Sequence, residues 1–201
     1  MEYVSGGSLL AMLQQFGPLP LEATKRYVID ILKGLRYLHD HHVTHCDIKP
    51  HNALLANDGT CKLSDFGSSV NNQVRAKEQQ EQEEAAAAGH QETMPPNDEQ
   101  LLVRGTSWYL SPEAAKGEIR PSNDIWSLGI TLIEMLTGKV PWTYRGSEAN
   151  FIIMLGKDET MVPPLGPELP EEAKVFVRLC FERDPEKRPT AQLLLQHPFL
   201  T

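Results

Sequence analysis

Apolar residues recur along this chain mainly at helical spacing. Leu9, Leu10, Met12, Leu13 and Phe16 follow the capping residue Ser8 and precede Gly17, so a short helix is expected between them. From Pro20 to Asp40, the residues Val28, Ile31, Leu32, Leu35 and Leu38 share one stripe and predict an amphipathic helix. The pattern then shortens. Ala53–Ala56 and Thr60–Ser64 are brief apolar runs around Asn57-Asp58-Gly59, a hairpin signal. Between Ser122 and Thr137, Ile125, Trp126, Leu128, Ile130, Leu132, Ile133, Met135 and Leu136 cover nearly every face, and Gly138 closes the run. A helix apolar all round belongs in the middle of a core. Further helices are expected around Phe151–Leu155, Pro170–Phe181 and Thr190–Gln196. The fold class that follows is mostly α with one small β-hairpin.

One stretch breaks this texture. Residues 71–100 are rich in Gln, Glu and Ala and poor in large apolar side chains. They read as a solvated insertion with transient helix over Lys77–Ala88.

Composition narrows the function classes. At 201 residues the chain suits one domain, and 40% hydrophobic with 23% charged residues is ordinary soluble globular protein. A net charge of −8 argues against nucleic acid or an anionic membrane as main partner. Cys46, Cys61 and Cys180 are too few and too scattered for a disulfide framework and suit a reducing, cytoplasmic setting. The first residues lack a signal-peptide pattern, and no apolar run reaches the ~20 residues that span a bilayer.

The chemistry-bearing residues flank the hairpin. His45-Cys46-Asp47-Ile48-Lys49-Pro50-His51-Asn52 precedes its first strand, and Asp65-Phe66-Gly67 follows its second. This pair resembles the catalytic loop H-R-D-x-x-x-x-N and the D-F-G motif of the protein kinase family. Further matches follow in order: Gly105-Thr106, then Ser111-Pro112-Glu113 where the family has A-P-E, then Asp124-Ile125-Trp126-Ser127-Leu128-Gly129, then Arg188. The resemblance covers about the whole chain. It implies Asp47 as catalytic base, Lys49 beside the transferring phosphate, and Thr106 bonding toward both. Asn52 and Asp65 would hold Mg2+ on ATP, and Gly67 would supply the turn after Asp65. His45 would pack under Phe66, Asp124 would brace the catalytic loop backbone, and Glu113 would pair with Arg188. Such a site needs a carboxylate to orient the attacking hydroxyl and oxygen ligands for the metal.

Lys49 and Thr106 resemble the serine/threonine kinases, and Thr106–Glu113 with His197-Pro198-Phe199-Leu200 is most similar to the MAP kinase kinase kinase branch. The expected partner is a protein substrate, another kinase among the candidates, with oligomeric state open. Residues 1–8 resemble the hinge between kinase lobes, with Met1 as gatekeeper. Glu2 and Val4 would offer backbone groups to adenine, Ser8 would lie near the ribose, and Leu54 would floor the base. On this reading 9–70 hold helices, catalytic loop and magnesium motif, 71–100 is an insertion in the activation segment, and 101–201 is the substrate-binding part. The whole is a partial kinase domain, the C-terminal lobe of the α+β kinase fold without its β-rich N-terminal lobe.

Two departures qualify the resemblance. The 201 residues contain no G-x-G-x-x-G before a strand and no V-A-I-K lysine, so weak or absent activity of this chain alone is expected, with Leu54 and Phe66 facing solvent. A non-catalytic docking module or decoy is the alternative. Cys46 stands where many kinases use Arg to read an activation-segment phosphate, and a thiol cannot make that charge-assisted pair. Less dependence on activation-segment phosphorylation is therefore expected. The crowd of His39, His41, His42, His45 and Cys46 lacks the companion patterns of a zinc site, and Trp108, Trp126 and Trp142 read as core or substrate groove.

Overall fold

Seven helices and two small sheets make up a computed structural model that describes residues 6–87 and 104–201. Met1, Glu2 and Val4 lie outside the described residues. Helix α1 (Leu9–Phe16) starts where Ser8 Oγ accepts the Ala11 N–H at 3.2 Å and stops at Gly17. Helix α2 (Leu21–Asp40) buries Val28, Ile31, Leu32 and Leu35, the stripe that its spacing predicts, with Leu38 half-buried at its end.

Strands β2 (Ala53–Leu55) and β3 (Cys61–Leu63) pair antiparallel, with Ala53 opposite Leu63 and Leu55 opposite Cys61. The segment before α1 adds to this hairpin: Gly6 N–H donates to Leu55 O and Leu55 N–H to Gly7 O. A Cβ on Gly6 would collide with the Leu55 carbonyl, so only glycine permits that approach. A second sheet was not legible in the sequence. Strand β1 (Val43–Thr44) pairs antiparallel with β4 (Val70–Asn71).

Helix α4 (Pro121–Thr137) is the axis of the core. Every residue from Asn123 through Met135 is buried, as an all-round apolar pattern requires. Helices α2 and α6 (Glu171–Cys180) pack on it, while α5 (Glu148–Lys157) packs against the 107–116 segment and α7 (Ala191–Leu194) against α2. The remaining helix, α3 (Asn72–Ala87), falls inside the expected insertion and begins five residues before the expected Lys77. Asn71 explains the early start: its Oδ1 accepts the N–H groups of Gln73 and Val74 at 3.0 and 3.2 Å.

Candidate active site

The loop between β1 and β2 is held from below by α4. Asp124, fully buried in the first turn of α4, accepts the His45 N–H and the Cys46 N–H at 2.9 Å each, one on either oxygen. Its Oδ2 also lies 2.8 Å from His39 Nε2. Cys46 takes a left-handed backbone, φ 66°, uncommon for a non-glycine residue and sustained here by those bonds. His45 is fully buried. Its Nδ1 accepts the Asp47 N–H at 3.3 Å, which leaves Nε2–H to donate to Ser64 O at 3.0 Å. The ring sits 5.2 Å from Phe66, itself 51% exposed.

Four polar groups hold the Asp47 carboxylate. Oδ1 accepts the Thr106 N–H at 3.0 Å and the Thr106 hydroxyl at 2.9 Å. Oδ2 accepts Asn52 Nδ2 and pairs with Lys49 Nζ, both at 2.8 Å. Lys49 in turn reaches Thr106 Oγ1 at 2.5 Å. Burial opposes the charge on Asp47, but Lys49, Thr106 and Asn52 outweigh it and hold the carboxyl below its ordinary range. Gly105 makes the Thr106 contact possible. With φ 100° and no side chain it passes over the Cys46 carbonyl, where a Cβ would collide.

The hairpin brings the metal-ligand candidates to the same end. Asn52 and Ser64 close the ladder at its base, Ser64 N–H donating to Asn52 O at 2.9 Å, and Asp65 follows at once. Asn52 is 1% exposed and gives its Nδ2 hydrogens to the Asp47 backbone oxygen and to Oδ2, while its Oδ1 lies 2.9 Å from His51 Nδ1. Asp65 is exposed in a left-handed conformation, φ 61°, with Oδ1 accepting the Gly67 N–H at 3.3 Å. An amide oxygen and a carboxylate are hard donors that fit Mg2+. Among the described residues, no group of three His, Cys, Asp or Glu is placed to hold a metal.

Glu113 and Arg188 form a buried fork-to-fork pair, 2.5 and 3.1 Å, with the Arg188 Nη1 also on Ser122 O and Nε on Glu182 O. That clasp fixes the end of the 104–117 segment to the α6–α7 connection. Ser8 caps α1 and bridges to Leu54, a half-buried residue of β2. Trp126 is fully buried, and Trp108 and Trp142 pack on the fully buried Phe151 at 4.7 and 5.1 Å.

Sequence reading missed two contacts. His39, set aside with the other histidines, is the third support of Asp124. Tyr109 donates to Glu134 Oε2 at 2.5 Å, tying the substrate-side segment to α4. A glutamate inside an otherwise apolar helix was the available signal for the second.

The protein kinase domain family matches residues 1–200, and the chain belongs to it. Its similarity is to the mitogen-activated protein kinase kinase kinases. It is 37% identical over 201 residues to the kinase kinase kinase ANP1 of Arabidopsis thaliana, 35% over 204 residues to wis4 of Schizosaccharomyces pombe and 39% over 202 residues to kinase kinase kinase 19 of Mus musculus. Each alignment covers 100% of this chain but only 27%, 14% and 14% of those relatives.

Proposed function

We propose that this chain is the C-terminal lobe of a serine/threonine kinase, transferring the γ-phosphoryl group of ATP to a serine or threonine hydroxyl of a protein. The observation that carries this reading is the Asp47 carboxylate, ionised and held by Lys49, Thr106 and Asn52. Asp47 orients the incoming hydroxyl and accepts its proton, and Lys49 offsets negative charge on the transferring group. Asn52 and Asp65 would hold Mg2+, whose charge neutralises the nucleotide phosphates. Glu2 and Val4 through their backbone, Ser8 and Leu54 would receive the nucleoside. A docking module without catalysis has no need of four such residues held at one hairpin end.

On the same reading the 201 residues are weakly active by themselves, because no glycine-rich loop or β-strand lysine within them covers the phosphates. The setting is cytoplasmic, and the substrate is another kinase, in keeping with the names of the relatives. Among the described residues no helix is long and apolar enough to cross a membrane.

The test is phosphate incorporation from labelled ATP into a protein substrate, together with Mg-ATP binding by calorimetry. Asp47→Asn should lower the rate about 10²–10⁴-fold, and Asp65→Ala should weaken Mg-dependent ATP binding. Equal incorporation with and without Asp47, or ATP binding indifferent to Asp65, sinks the proposal.

A further inference from the structure

His51 fills a position that the H-R-D-x-x-x-x-N pattern leaves open, and its exposed ring touches Asn52, the residue that closes the pattern. The contact has a definite polarity. Asn52 Nδ2 lies 2.8 Å from the Asp47 backbone oxygen and 2.8 Å from Asp47 Oδ2, and both of those atoms are acceptors. The amide nitrogen therefore faces Asp47, and the amide oxygen faces His51. That oxygen carries no hydrogen, so its 2.9 Å approach to His51 Nδ1 requires Nδ1–H as the donor.

Asn52 is thereby engaged at every polar group. Its N–H donates to Lys49 O at 3.0 Å, and its backbone oxygen accepts the Ser64 N–H and hydroxyl at 2.9 and 3.0 Å. The orientation of its amide does not depend on His51, because burial and the two bonds to Asp47 fix it. The two metal-ligand candidates differ in what they have to offer. Asp65 is exposed and brings two carboxylate oxygens, with only Oδ1 accepting the Gly67 N–H. Asn52 brings a single side-chain oxygen, and His51 donates to it. An N–H donor and a divalent cation present the same sign of charge to that oxygen, so each weakens the other. The His51 ring makes no other hydrogen bond among the described residues and is free to turn away into solvent.

We propose that His51 is a positioning residue that competes with the metal, capping the Asn52 amide oxygen and yielding it when a divalent cation binds. The strength of metal capture is then set by a residue outside the kinase motif. The inference rests on the reading of Asn52 as a metal ligand and adds to it the residue that opposes binding there.

The test is binding, with no phosphoryl transfer required. Equimolar Mg2+ and ATP are titrated into the 201-residue chain by calorimetry, with ATP alone as the blank. A hydrogen bond of ordinary net strength corresponds to about fivefold in an equilibrium constant, and His51→Ala should tighten the Mg-dependent binding by about that factor. His51→Gln keeps an N–H donor and should stay within about twofold of the parent. In an Asn52→Ala background, His51→Ala should change nothing, since the oxygen they share is gone. A substitution that merely loosened the loop would weaken binding, so the direction separates competition from a structural role. Unchanged or weaker binding in His51→Ala, or the same tightening without Asn52, overturns the proposal. If the parent binds too weakly to measure, measurable binding gained by His51→Ala supports the proposal and its absence overturns it. Asn52→Ala keeps the two readings apart. Indifference to Asn52→Ala sinks the metal reading and this inference together, whereas weakening by Asn52→Ala with no effect of His51→Ala sinks this inference alone.

Discussion

Helices α4 and α3 have nearly the same length, 17 and 16 residues, and almost nothing else in common. Helix α4 is buried on all sides, and its charged groups face inward with assigned partners, Asp124 under the catalytic loop and Glu134 under Tyr109. Helix α3 is built from Gln, Glu and Ala, good helix formers with no apolar face to dock. Packing makes the first helix and local propensity makes the second. The packed helix therefore carries the machinery, and α3 is joined to it through its capped first turn, where Asn72 bonds His42 O and Thr44 Oγ1. Perturbations of the α4 scaffold should be global and costly, and those of distal α3 should be local.

The largest expected effect is at the clasp beside α4. Arg188→Ala leaves the Glu113 carboxylate, 5% exposed, without its partner. Breaking one side of a buried ion pair costs about 3–5 kcal/mol. Urea unfolding should show that loss as a lower midpoint at unchanged slope, and a loss under about 1 kcal/mol would mean that water reaches Glu113.

The same contrast explains what the sequence made legible. Long periodic stripes gave α1, α2 and α4, because burial on one face or all faces writes a 3.6-residue period into the chain. Asp47, Lys49, Asn52 and Asp65 stood out as candidates because ordered motifs flank a hairpin, and the hairpin itself was signalled by Asn57-Asp58-Gly59. Strands β1 and β4 were not found: two residues are too few to show alternation. The start of α3 was misplaced because a cap by Asn71 depends on one side-chain rotamer. His39 was lost for a related reason. Its value lies in Asp124, 85 positions away, and nothing local distinguishes it from His41 and His42.

A smaller effect concerns the sign of proton linkage within the scaffold. Burial raises Glu134 above the ordinary carboxyl range, with the Tyr109 hydrogen bond pulling the other way. The folded state thus holds that proton more tightly than the unfolded chain does. Its stabilisation is complete at pH values below the unfolded value, near 4.5, and is lost as pH rises through the folded one. Asp47 has the opposite sign. Its depressed value stabilises above the unfolded value and is lost as pH falls. Glu134→Gln keeps an acceptor for Tyr109 and removes the charge, so at pH 7 it should be neutral or stabilising by about 1 kcal/mol. Thermal melts from pH 4 to 8 should lose part of their downward slope in this variant. A variant destabilised at pH 7 and indifferent to pH would show that the ionised carboxylate is the favoured partner of Tyr109.

The smallest expected effect tests the other half of the comparison. Glu81→Pro removes one backbone donor and clashes with the carbonyl four residues before it, a local cost of ~3 kcal/mol within a helix. In α4 such a change would unfold the core. The sequence of α3 offers no apolar face to that core, so the urea midpoint should move by less than about 0.5 kcal/mol. Circular dichroism should nevertheless lose the helical signal of part of the segment, a loss visible only because the rest of the fold is untouched. A cooperative loss of stability on Glu81→Pro would instead mean that α3 packs on the scaffold through its whole length, and the division into a packed helix and a solvated one would fall.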